Sequence, residues 1–94
     1  MKAKEMFEKL GYIQTEINEL NNIQYTKRAK ESEMKRIGMI QTTWIEIYTS
    51  TKEILVYTEY EHRSGKKSKS DIGILNFEEF KAIQKQILEL NWGN

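Results

Sequence analysis

Residues 43–60 read TWIEIYTSTKEILVYTEY. Ile45 and Ile47 alternate with Trp44, Glu46 and Tyr48. After Ser50-Thr51-Lys52, Ile54, Val56, Thr58 and Tyr60 alternate with Leu55, Tyr57 and Glu59. A period of two, carried by β-branched and aromatic residues, predicts two strands joined by a hairpin. Successive side chains of a strand leave on opposite faces. The aliphatic set Ile45, Ile47, Ile54 and Val56 therefore marks the face that packs on a core. Trp44, Tyr48 and Tyr57 leave on the other face.

Working outward, Ile37 and Met39 continue the alternation upstream. Ile23 and Tyr25 alternate with Gln24 and Thr26 in a further strand, entered from the turn pair Asn21-Asn22. Tyr12 to Thr15 reads as a short extended piece, and the charged run Lys27 to Lys35 reads as a loop or strand end. Downstream, Glu61 to Ser70 is polar and basic around Gly65 and reads as an exposed loop. Ile72 and Ile74 suggest one more short strand.

Two amphipathic helices flank this centre. Ala3, Met6, Phe7 and Leu10 fall on one helical face, and Gly11 suits the left-handed residue that ends a helix. Near the other end, Asn76 is an N-cap with Glu79 three residues on. Phe80, Ile83, Ile87 and Leu90 follow as an apolar stripe, and Trp92 seals the base of that helix. The expected architecture is α+β over one domain, residues 1–94. It has an N-terminal helix, an antiparallel sheet of about four to five strands, and a C-terminal helix, with both helices on one sheet face. Its core is expected from Met6, Phe7, Leu10, Ile45, Ile47, Phe80, Ile83 and Ile87.

Composition narrows the function classes. Fifteen Lys and Arg stand against 14 Asp and Glu, a net charge of +1, which fits neither a generally basic nucleic-acid binder nor an acidic DNA mimic. There is no cysteine, so disulfides, thiolate catalysis and Cys-based metal sites are ruled out. The first ten residues hold no apolar run of a secretion signal, and no stretch approaches the ~20 apolar residues of a membrane span. A cytoplasmic protein with no membrane partner is expected.

No catalytic constellation is legible. His62 is the sole histidine, and no partners stand at metal-ligand spacing around it. The five glycines form no phosphate loop. Glu78 and Glu79 serve a helix start, and Glu59 and Glu61 share the wet face of a strand. The chain is read as a non-enzyme without cofactor or metal. Two surface features remain. Arg63, Lys66, Lys67 and Lys69 form a basic loop, either a solvated mobile hairpin tip or a phosphate-contacting finger. Trp44, Tyr48 and Tyr57 are either anchors for a protein partner, a base-stacking platform, or rings packed across strands.

Residues 1–12, MKAKEMFEKLGY, and 76–92, NFEEFKAIQKQILELNW, resemble a family of small uncharacterised proteins. These occur in phages, prophages and conjugative elements of low-GC Gram-positive bacteria. The resemblance covers both helices, with a looser match in the central hairpin. The family typically ends in Glu-Leu-Gly-Trp, where this chain has Glu89-Leu90-Asn91-Trp92. These motifs are helix faces and caps and carry over no functional residues. Asn18 to Met39 and His62 to Ser70 depart most.

The resemblance implies an accessory or host-takeover role in the cytoplasm of a bacterial host. Such proteins act by binding a host or phage protein, and anti-CRISPR inhibitors of a defence nuclease are one group of this kind. On this reading Trp44, Tyr48, Tyr57, Arg63, Lys66, Lys67 and Lys69 contact the partner. The alternative is a small nucleic-acid-binding module using the basic loop 63–69 and the sheet aromatics. A homodimer joined through a sheet edge is compatible with the first.

Overall fold

The structure is a computed structural model that describes residues 1–17, 22–29, 39–62, 64–70 and 73–92. Helix α1 (Ala3–Lys9) leads into strands β1 (Ile13–Ile17), β2 (Ile23–Arg28), β3 (Met39–Tyr48), β4 (Glu53–His62) and β5 (Lys67–Ser70), and helix α2 (Phe77–Glu89) follows. The strands form one antiparallel sheet in the order β1-β2-β3-β4-β5. This is the α+β architecture expected from the alternating centre and its two flanking helices.

Register sorts the side chains. Ile45 faces Val56 on one side and Tyr25 on the other, and Ile47 faces Ile54 and Ile23. These six share the inner face. Phe7 of α1 stacks on the Tyr25 ring at 3.9 Å, and Tyr25 also donates its hydroxyl to Gln86 Oε1 of α2 at 2.8 Å. One tyrosine thus meets both helices, so both lie on that face.

Both helices end in the same backbone device. Gly11 (φ +94°) donates its N–H to Glu8 O and Tyr12 donates to Phe7 O, each at 3.0 Å. At the other end Asn91 (φ +58°) donates to Leu88 O at 3.1 Å and Trp92 to Ile87 O at 3.4 Å. Each is a Schellman motif, in which a left-handed residue turns the chain so that the next side chain folds back on the helix. The folded-back residues are the aromatics Tyr12 and Trp92. Asn tolerates the left-handed region better than most side chains, which suits Asn91 to this position.

The core holds Phe7, Tyr12, Tyr25, Ile45, Ile47, Ala82 and Ile83, with Met6, Leu10, Ile54, Val56, Ile87 and Trp92 packed against it. Phe80, expected in this core, is instead 53% exposed. The buried face of α2 is Glu79, Ala82, Ile83 and Gln86, a stripe beginning one residue earlier than the apolar one. Its rotation follows from the sheet. Tyr12 and Tyr25 bring hydroxyls into the layer, and buried donors need acceptors. Glu79 and Gln86 are those acceptors.

Two further expectations are corrected. The 61–70 segment is not one loop: β4 runs to His62 and Lys67–Ser70 pairs with it as β5. Gly65 (φ +86°) donates to His62 O and His62 to Lys66 O, each at 2.8 Å, closing the hairpin. No strand forms at 73–76, where Ile74 is 84% exposed. Ile37, Ile72 and Arg63, with most of the 27–35 loop, lie outside the described residues. The segment from 73 crosses β4 closely: a methyl on Gly73 would sit 2.1 Å from Val56 Cγ1 and 2.8 Å from its carbonyl carbon.

Ile83→Ala should cost about 2–5 kcal/mol in urea unfolding, whereas Phe80→Ala should cost less than about 1 kcal/mol. Equal costs would place Phe80 in the core after all. Gly73→Ala should lower the melting temperature although the residue added is small, because the clash is with backbone as well as side chain. An unchanged melting temperature would mean the crossing segment is not pressed against β4.

Candidate functional site

The outer face of the sheet carries the features the sequence singled out. Trp44 on β3 lies opposite Thr26 on β2 and Tyr57 on β4, and Glu46 lies opposite Gln24 and Leu55. All of these point away from the helices, since Ile45 and Val56 between them point inward. The expected placement of Trp44, Tyr48 and Tyr57 on one face opposite the aliphatic residues is what the register gives. All three are half-buried.

These rings are held in place. Trp44 and Tyr57 stack with centroids 5.1 Å apart and planes within 16°. Lys69 on β5 sets its Nζ over the Tyr57 ring at 4.4 Å from the centroid. Trp44 and Lys69 reach Tyr57 from the two strands that flank β4. The result is a ladder of Trp44, Tyr57 and Lys69 across three strands. Stacking and cation–π contact each contribute about 0.5–1.5 kcal/mol, so the ladder is ordered before any partner arrives.

Glu46 anchors the ladder. Its Oε2 accepts from the Tyr48 hydroxyl and its Oε1 from the Tyr57 hydroxyl, both at 2.5 Å. Burial works to raise the Glu46 pKa, but hydrogen bonds from Tyr48, Tyr57 and Gln24, with the charge of Lys69, outweigh it and hold the carboxyl below its usual range. The anchor is therefore ionised at neutral pH. Both phenols respond in the opposite sense. Tyr57 is pushed far up by burial and then by Glu46, and Tyr48 is raised by its bond to Glu46 and then by burial.

The cationic residues divide. Lys66, Lys67 and Lys69 are exposed, and Arg63 is not among the described residues. Lys67 stands directly across from Glu61 and Lys69 from Glu59. Arg28 reaches Glu61 at 3.4 Å from β2. The lysines thus belong to a strand face where acid and base alternate. Strand β5 brings Lys69, and Lys67 beside it, next to the aromatic ladder, and Lys66 stays at the hairpin end. Sequence reading missed Glu46, the acceptor that joins the two tyrosines. The signal was present as the central polar residue between Trp44 and Tyr48 on one strand face.

His62 ends β4 with Nε2 3.4 Å from Ser68 Oγ. Among the described residues no three His, Asp or Glu side chains are grouped to hold a metal ion. No described helix is long and apolar enough to cross a membrane. No family model, curated protein or solved structure matches the chain.

Four of the five tyrosines, Tyr12, Tyr25, Tyr48 and Tyr57, have phenols raised above the ordinary value. Tyr25 is pushed up to about 12, by burial first and then by the carboxylates of Glu89 and Glu8. A raised folded-state pKa means the native state holds its protons longer than the unfolded chain. The stability these groups add is full below about pH 10 and is lost as pH climbs above it. Phenolate absorbance should therefore rise together with loss of far-UV ellipticity in an alkaline titration. Ionisation of four tyrosines near pH 10 with the helices intact would contradict this placement.

Proposed function

We propose that the protein acts without catalysis, by stoichiometric binding of another protein through the outer face of its sheet. Trp44 is the anchor, Tyr57 and Tyr48 surround it, and Lys67 and Lys69 line the adjoining strand. The observation that carries this reading is the prestacked Trp44–Tyr57–Lys69 ladder tied down by Glu46, on a face that neither helix covers. A ring already fixed loses little conformational freedom on docking, and aromatic anchors of this kind dominate interface energies. The flanking charges of β4 and β5 act mainly on association rate and salt dependence.

The resemblance of residues 1–12 and 76–92 to phage and mobile-element proteins supports an accessory role in the cytoplasm of a bacterial host. In that role the partner is a host protein whose action the bound chain blocks, and a defence nuclease of the CRISPR type is the proposed target. The nucleic-acid alternative draws on the exposed Lys66, Lys67 and Lys69. Two features weigh against it. The Tyr57 ring is already engaged, stacked with Trp44 and in cation–π contact with Lys69, so a base would have to displace one of them to stack fully there. Glu59 and Glu61 also stand across from Lys69 and Lys67, where a phosphate would be repelled.

Immobilised protein should capture one protein from a Gram-positive host lysate at a fixed molar ratio, and nuclease treatment of the lysate should not release it. Trp44→Ala should weaken that complex by about 2 kcal/mol or more, roughly 30-fold, with the far-UV spectrum unchanged. The pair Lys66→Ala and Lys67→Ala should weaken it only mildly. Capture abolished by nuclease and by the lysine pair would replace this reading with nucleic-acid binding. A Trp44→Ala chain that unfolds would move Trp44 from the binding face to the stability of the sheet.

A further inference from the structure

Helix α2 has a second apolar face that the sheet does not use. Phe77 is 70% exposed, Phe80 53% and Leu88 66%. Phe77 and Leu88 lie three turns apart on the side of the helix opposite the buried Ala82 and Gln86, with exposed Gln84 between them and Phe80 beside them. Ile74, just ahead of the N-cap, is exposed as well. A whole aromatic side chain offers roughly 150–250 Å², so these exposed fractions leave on the order of 500 Å² of apolar surface. That matches the largest patch on an ordinary monomer, which is often functional.

We infer that a second copy of this chain covers this face, α2 packing antiparallel against α2 of its partner about a two-fold axis. Area is the first argument. A patch of this size contributed twice buries about 1,000 Å² in total, the lower limit of a specific interface, so the dimer is a weak one. Self-complementarity is the second. The stripe is apolar at both ends and polar at its middle, so antiparallel pairing sets each Phe77 beside the partner's Leu88 region and each Gln84 near its own twin. Charge is the third. Along one flank Glu78, already paired with Lys81 at 3.0 Å, stands in the first turn and Lys85 two turns on, while the Lys81 ammonium lies 5.0 Å from the Phe77 ring centroid. A two-fold axis brings like flanks together in reversed direction, so each Glu78 meets a Lys85. Parallel pairing would set this flank against the partner's other flank, beside Phe80 and Gln84, and lose the acid–base contact. A lipid surface fits less well: Glu78 and Glu89 balance Lys81 and Lys85, without the cationic excess an anionic bilayer attracts.

Sedimentation equilibrium of the full chain tests this between about 10 µM and about 1 mM, the range a weak dimer spans. The weight-average mass is expected to rise from 11.2 kDa toward twice that value. Leu88→Lys, at an exposed position, should raise the dissociation constant about ten-fold or more and leave the far-UV spectrum unchanged. Lys85→Glu should also weaken association, and adding Glu78→Lys to it should restore association. Trp44→Ala should leave association as it was, so failure of the binding-face reading would not touch this one. A single 11.2 kDa species at every concentration would overturn the inference. So would association indifferent to Leu88→Lys, association lost with Trp44→Ala, or a reversed charge pair that fails to restore it. A chain that stays monomeric and binds phosphatidylglycerol vesicles through Leu88 would assign the stripe to a membrane surface instead.

Discussion

Two phenol hydroxyls sit inside the layer between helices and sheet, and each demands an acceptor there. Tyr12 finds Glu79, and Tyr25 finds Gln86 at 2.8 Å. An unpaired buried hydroxyl costs about 1–3 kcal/mol, comparable to a substantial part of the stability of a domain this size. The two acceptors lie seven residues apart, two turns of α2, and so fix that helix in rotation and along its axis. Glu79 serves twice, because its other oxygen accepts the Asn76 N–H at 2.9 Å while Asn76 Oδ1 accepts the Glu79 N–H at 2.8 Å. The capping box that starts the helix and the bond that docks it share one carboxylate. Removing that side chain would loosen the helix start and strand a phenol together.

The same chemistry recurs on the far side of the sheet with a different outcome. Here one acceptor, Glu46, collects two tyrosine hydroxyls, and its neighbours are half-buried and open to solvent. On the inner face polar bonds lock helices down. On the outer face they hold side chains upright and aligned. Among the described residues the helices cover one face only, so the aromatic ladder is a surface feature built with the order of a core.

Much of the fold was legible because its strongest signal was local. Residues 43–60 alternate so regularly that strand, hairpin and facing follow from period two alone, and the outward placement of Trp44, Tyr48 and Tyr57 came with them. The caps were legible too, since Asn76, Glu79 and Gly11 are residue types chosen by backbone geometry. The rotation of α2 was not. Phe80 looks like core and Gln86 like surface, and only the hydroxyls of Tyr12 and Tyr25, far away in sequence, reverse that order. Strand β5 was hidden for a related reason. Lys67-Ser68-Lys69-Ser70 alternates without an apolar member, so its period is invisible to a hydrophobic reading, and pairing with β4 makes it a strand. Glu46 was passed over as one more surface carboxylate, because its role depends on Tyr57 from the next strand.

The two tryptophans stand on opposite sides of the sheet. Trp44 is stacked on Tyr57 at the outer face, and Trp92 is folded back by the left-handed Asn91 against the helical layer. Their fluorescence therefore reports two separate events. A molecule settling on the outer face alters the emission of Trp44 and leaves that of Trp92, whereas fraying of the last helix does the reverse. Docking and loosening can thus be told apart in the native chain by emission alone, without an attached dye.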